Sequence, residues 1–191
     1  MSGRRLAGVL SVSALLPLLF ARPQGLAPSV TVDAERLIDA TQGAYTERHR
    51  VRSVDGGDET AEDVVEIARV DPTHVFVRIV RQFDVGHSCN VAGVATFEKD
   101  CFVYRTRRWL RDQDPTCTLQ VRATPEGLSV TDRQAGGKPT CRAFCGERGS
   151  VSDFTSSWAH RRPIPDLPQL KRSEDYVDAM AEFTENMRVR R

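Results

Sequence analysis

Apolar and polar side chains alternate through the middle of this chain. Val75, Val77 and Ile79 interleave with His74, Phe76 and Arg78, the two-residue period of a strand, and predict one over residues 75–82. Residues 64–70 are equally rich in β-branched side chains, and Asp71-Pro72-Thr73 between the two runs predicts a hairpin. Upstream, residues 45–54 alternate weakly and end at a strong turn signal, Asp55-Gly56-Gly57-Asp58. Downstream, extended runs at 89–98 and 101–105 flank Lys99-Asp100, and runs at 117–123 and 128–132 flank Pro125-Glu126-Gly127. A Gly136-Gly137 turn leads to further extended segments at 141–144 and 149–154. Short strands at this spacing, joined by Gly, Pro and Asp turns, predict a mainly β protein. The expected form is an antiparallel meander closing into a small barrel or curved sheet, since closure removes exposed edges.

Helical spacing occurs at both ends of that β region. Ala34, Leu37, Ile38, Thr41 and Ala44 recur at three and four residues, which predicts a short helix over 33–44 with Asp33 as its N-cap. Near the other end, Ser173 caps an amphipathic helix that carries Tyr176, Met180, Phe183 and Met187 on one face. That stripe either packs on the sheet or binds a partner helix-in-groove fashion. Between them, Arg161-Arg162-Pro163-Ile164-Pro165-Asp166-Leu167-Pro168 is too interrupted for regular structure and reads as a semi-rigid linker over 161–172.

The first 27 residues follow a different pattern. Arg4 and Arg5 precede a charge-free run from 6 to 20 that holds Leu15, Leu16, Leu18 and Leu19, and small residues follow at Ala21, Gly25 and Ala27. This is the layout of a secretory signal peptide, and the run is short for a membrane span of about 20 residues. The expected mature protein is periplasmic or secreted, without a transmembrane span. It consists of a β domain with its leading helix over 28–160, the linker, and the helix with a basic tail over 173–191.

Composition then narrows the function. Hydrophobic residues make up 40% of the 191 and charged ones 28%, enough for one modest core. Loss of the leader's three arginines, with no acid lost, takes the formal charge from +1 to −2. With both signs interspersed and Arg188, Arg190 and Arg191 forming a solvated tail, nucleic-acid binding is not expected.

Export also decides how Cys89, Cys101, Cys117, Cys141 and Cys145 are read. In an oxidising compartment, five thiols imply two disulfides and one leftover thiol, each bond contributing about 2–4 kcal/mol. Cys141-x-x-x-Cys145 raises the question of zinc, but no second close pair of ligands accompanies it, and His49, His74, His87 and His160 are scattered. Neither metal nor cofactor is expected. Gly86-His87-Ser88-Cys89 would place a histidine and a cysteine on one side of a strand, as a thiol nucleophile requires. An oxidised Cys89 defeats that, Ser88 lacks a Gly-x-Ser-x-Gly elbow, and neither Asp112 with Asp114 nor Glu62 with Asp63 forms a recognisable acid pair. The segment reads as a turn, and the protein as non-catalytic.

Phe83, then Gly86-His87-Ser88-Cys89-x-x-x-Gly93-x-Ala95, Val103-Tyr104-Arg105, Cys117-x-Leu119 and Cys141-Arg142-x-Phe144-Cys145-Gly146-x-Arg148-Gly149-Ser150 together resemble a family. It is the set of small exported bacterial β proteins related to inhibitors of C-type lysozyme, and the resemblance spans about residues 45–154. It implies a loop that enters the lysozyme cleft and engages its catalytic carboxylates. The counterpart here, Gly146-Glu147-Arg148-Gly149-Ser150, keeps the Gly-x-Arg core, lacks the family's tyrosine and follows a cysteine. Partner-binding roles for Gly146, Arg148 and Ser150 are implied, as is a protein partner of the lysozyme type in the cell envelope. Members tend to carry an aliphatic residue where Cys101 stands, which implies that Cys101 is the unpaired thiol. On physical grounds, a guanidinium on a glycine-flanked, disulfide-tethered loop is preorganised to meet a carboxylate. Two other readings stand beside this one: a small β-barrel carrying an apolar or lipid ligand in its interior, and an enzyme working through His87 and Cys89.

Overall fold

The computed structural model describes residues 30–106, 116–133, 137–146 and 149–189. Within them, helix α1 (Val30–Thr41) precedes strands β1 (Gly43–Arg52), β2 (Asp58–Asp71), β3 (His74–Gln82), β4 (Ser88–Glu98), β5 (Cys101–Arg105), β6 (Thr118–Ala123), β7 (Gly127–Thr131), β8 (Phe154–Ser157) and β9 (Arg161–Arg162). Helices α2 (Leu167–Leu170) and α3 (Glu174–Val189) follow. All nine strands form one sheet in the order β8-β7-β6-β5-β4-β3-β2-β1-β9, each antiparallel to its neighbours. The sheet curls until its ends nearly meet. Across that seam Ser156 Oγ donates to Glu47 Oε1 at 2.6 Å, and His160 Nδ1 lies 2.7 Å from the same oxygen.

The alternating pattern explains this architecture. Register pairs such as Val65 with Ile79, Val77 with Gly93 and Phe102 with Val121 put the apolar rows of successive strands on one concave face. Val65, Ile67, Val75, Val77, Ile79, Val91, Phe102, Leu119, Val121, Leu128 and Val130 fill the interior, each 2% exposed or less. Helix α1 adds Ile38 and Leu37 to this core, and Tyr45 Oη donates to the Thr41 carbonyl at 2.7 Å. It starts three residues before the expected position and ends at Thr41, so Asp33 lies inside it rather than at its cap.

Helix α3 begins just after Ser173, whose Oγ accepts the Tyr176 N–H at 3.3 Å. Its apolar stripe packs on the outer face of β2–β4, with Tyr176, Met180 and Phe183 against a second cluster of Ala68, Phe76, Val94, Leu170 and Ala179. Glu182 fixes the rotation of the helix by accepting from Tyr104 Oη at 3.1 Å and Thr106 Oγ1 at 3.0 Å. Met187, at the end of the stripe, stays 40% exposed.

Further segments differ from the sequence reading. Residues 141–144, expected as a strand, hold a 3-10 turn at Arg142–Phe144. The strand expected over 149–154 starts only at Phe154, after Asp153 takes φ 62. The region read as an irregular linker contributes β9, which pairs with Ala44 and Tyr45 of β1, and the single-turn helix α2, capped by Asp166 through the Gln169 N–H at 2.8 Å.

The β2–β3 hairpin carries a pH-sensitive turn. Asp71 Oδ1 accepts the Thr73 N–H at 2.8 Å and lies 2.8 Å from His74 Nδ1. Partial burial works to raise the Asp71 pKa, but these hydrogen bonds and the His74 charge outweigh it and hold the carboxyl below its ordinary value. A depressed folded pKa gives stability above the unfolded value of 3.8 that is lost as pH falls through the folded one. Urea denaturation of Asp71→Asn across acid pH is therefore expected to show a shallower loss of stability below pH 4 than the parent protein.

Candidate functional site

Two disulfides organise the mouth of the curled sheet. Cys89, at the start of β4, is bonded to Cys145, and Cys117, just before β6, to Cys141. Both bonds are fully buried on their Cys89, Cys117 and Cys141 sides and fasten residues 141–145 across the sheet. That explains the failed strand: a segment tied to two different strands through residues four apart has to turn. The Gly146 N–H also donates to the Ser88 carbonyl at 2.9 Å, continuing the bridge between Cys89 and Cys145.

Polar side chains hold what the sulfurs do not. Asp132, 2% exposed, accepts the Cys141 N–H at 2.8 Å through Oδ2, and Ser152 Oγ donates to its Oδ1. Arg81, on β3, reaches over the interior and donates through Nη1 to the carbonyls of Ser150 at 3.0 Å and Ser152 at 2.9 Å. Its Nε donates to Asp63 Oδ2 at 2.9 Å, and Asp63 Oδ1 accepts the Gln82 N–H at 2.9 Å. The guanidinium stands 5.1 Å from the Phe83 ring centroid and 5.9 Å from that of Phe154, a cation–π setting that completes its surroundings. Val151 is carried into the core as a result.

Between these fastenings lies the loop that sequence reasoning singled out. Arg148 and its neighbour Glu147 fall outside the described residues, so only the flanks are placed. Gly146 and Gly149 are joined by a hydrogen bond, Gly149 N–H to Gly146 carbonyl, at 2.9 Å. Both positions demand close approach: a Cβ on Gly146 would lie 2.8 Å from His87 Nδ1, and one on Gly149 2.8 Å from Cys89 Sγ. His87, Phe83 and the Cys89–Cys145 bond thus crowd against Gly146 and Gly149. Ser150 is half-buried, and its carbonyl is held by Arg81 while its Oγ accepts the Ser152 N–H at 3.1 Å.

The turn expected at Gly86-His87-Ser88 lies slightly upstream, and Ser88 already begins β4. A 3-10 turn spans Asp84–Gly86, His87 N–H donates to the Asp84 carbonyl at 3.3 Å, and Asp84 Oδ1 accepts the Arg52 N–H at 2.8 Å. Because Cys89 is bonded to Cys145, no thiolate faces His87. The sulfurs of Cys141 and Cys145 sit in separate disulfides and form no zinc pair. Among the described residues, no group of three or more His, Cys, Asp or Glu is arranged to hold a metal, and no helix is long and apolar enough to cross a membrane. Cys101 is a free thiol, 3% exposed, with Sγ 3.6 Å from the Glu98 carbonyl; burial pushes its pKa up. Sequence reasoning missed Arg81 and Asp132 and weighed Asp63 only beside Glu62; the hydrogen-bond partners of their side chains lie between 9 and 71 residues away along the chain.

The fold and site define a disulfide-stapled, nearly closed antiparallel β-barrel in which residues 145–146 and 149–152 are fastened at the mouth, and the two bonds fit an oxidising compartment. No family model, curated protein or solved structure matches this chain.

Proposed function

We propose that this is an exported, non-catalytic binding protein, periplasmic or secreted, that presents residues 146–150 to the carboxylate-lined cleft of a lysozyme-type hydrolase. The observation that carries this reading is the fastening of the loop on both flanks, by Cys89–Cys145 on one side and by Arg81 on the Ser150 and Ser152 carbonyls on the other. Flanks fixed before binding leave less conformational entropy to be lost when the loop docks, so affinity follows from few contacts. Arg148 supplies the group such a cleft would recognise, a planar guanidinium able to pair with a carboxylate through two parallel hydrogen bonds. The interior-carrier reading gains no support from this structure, because the concave face is filled by the protein's own side chains.

The test is turbidimetric lysis of bacterial cell walls by a C-type lysozyme in the presence of the purified protein. Inhibition is expected at micromolar concentration, and Arg148→Ala is expected to weaken it at least tenfold, about 1.4 kcal/mol. Unchanged lysis at that concentration overturns the reading.

A further inference from the structure

The segment read from sequence as a linker forms the wall of a pocket. Where β2 passes beneath residues 163–171, on the outer face of the sheet, a cavity of about 520 Å³ opens to solvent. Ala68 and Val70 belong to its floor, and Pro163, Ile164 and Leu167 form an apolar lip. Leu167 remains 38% exposed, one of the few large apolar side chains left so among the described residues. The volume lies within the roughly 300–1,000 Å³ typical of small-molecule sites.

Two cations reach this cavity, and they differ. Arg69 is committed elsewhere, with Nη2 2.8 Å from Asp39 Oδ1 and Nη1 3.9 Å from Glu35 Oε1. Lys171 lines the cavity and makes no ion pair among the described residues. An apolar trough with one uncommitted ammonium at its rim is complementary to a molecule with an apolar tail and a single negative head. We propose that this cavity is a binding site for a fatty carboxylate, its chain lying against Val70, Ile164 and Leu167 and its head meeting the Lys171 ammonium. The site shares no residue with the 146–150 loop, so it stands or falls independently of the lysozyme reading.

Isothermal titration of the purified protein with dodecanoate, decanoate and dodecyltrimethylammonium, each below its micelle concentration, tests it. Saturable one-to-one binding of dodecanoate is expected, at least tenfold tighter than that of the cationic amphiphile. Decanoate, shorter by two methylenes, is expected to bind roughly tenfold more weakly. Lys171→Glu is expected to reverse the headgroup preference. Leu167→Asp is expected to weaken dodecanoate binding roughly tenfold at an unchanged melting temperature, since the side chain is already partly in water. Absence of saturable binding, equal affinity for both headgroups, or full affinity in both variants would overturn the proposal.

Discussion

Arg81→Met is expected to destabilise the protein by about 3–5 kcal/mol, read as a fall in the urea midpoint with intrinsic fluorescence as the probe. The size comes from what the substitution leaves behind rather than from the pair's own attraction. Asp63 has only 4% of its side chain exposed, and without Arg81 it becomes a buried carboxylate lacking its countercharge. The carbonyls of Ser150 and Ser152 lose their donor in the same step. Arg81→Lys keeps a charge near Asp63 but cannot address three acceptors with one planar group, so an intermediate loss is expected. The double variant Arg81→Met/Asp63→Leu removes both charges and is expected to be more stable than Arg81→Met alone. If the two single losses simply add in the double variant, the pair is not coupled and this account of the mouth fails.

Removing the outer crosslink is expected to have a comparable effect on stability and a larger one on the loop. Cys89 and Cys145 are 56 residues apart in sequence, which in the chain-entropy treatment corresponds to about 4 kcal/mol as an upper figure. The pair Cys117 and Cys141 lies inside that interval, 24 residues apart, so each bond shortens the free path the other has to close. Cys89→Ala/Cys145→Ala is therefore expected to lower the thermal midpoint by several degrees or more and to make the chain cleavable by protease near Gly149 under native conditions. Cys117→Ala/Cys141→Ala is expected to be destabilised as well, but with slower cleavage at Gly149, because Cys145, next to Gly146, remains bonded to Cys89. Equal cleavage rates in both double variants would show that the outer bond does not order the loop.

Much of the barrel was legible because a half-buried strand writes its two faces into alternate residues. Strand β5 occupies the very residues its pattern marked, 101–105, and β3, β4, β6 and β7 lie within a residue or so of theirs. Strand β2 extends six residues further upstream than its apolar run, since Asp58–Asp63 continues the backbone ladder with β1, where Arg48 also meets Glu62 and Arg50 meets Asp58. That information was present as charge complementarity across the turn, not as hydrophobicity. Residues 149–154 alternate like a strand, yet the carbonyls of Ser150 and Ser152 go to a guanidinium on β3 instead of to a neighbouring strand. Nothing local in the sequence signals an acceptor whose donor is 69 residues away. The cysteines marked where the site would be, while the polar groups that stiffen it became visible only in three dimensions. The segment at 161–172 shows the same limit: its prolines forbid long elements but permit a two-residue strand and one helical turn, both supported by tertiary contacts.

The nesting of one sulfur bridge inside the other makes everything from residue 89 to residue 145 part of a covalent ring. A hydrolytic break at any single peptide bond in that interval leaves the two pieces attached through at least Cys89–Cys145, so the cut molecule gains only one water and stays a single covalent entity. One nick there leaves the polypeptide covalently whole.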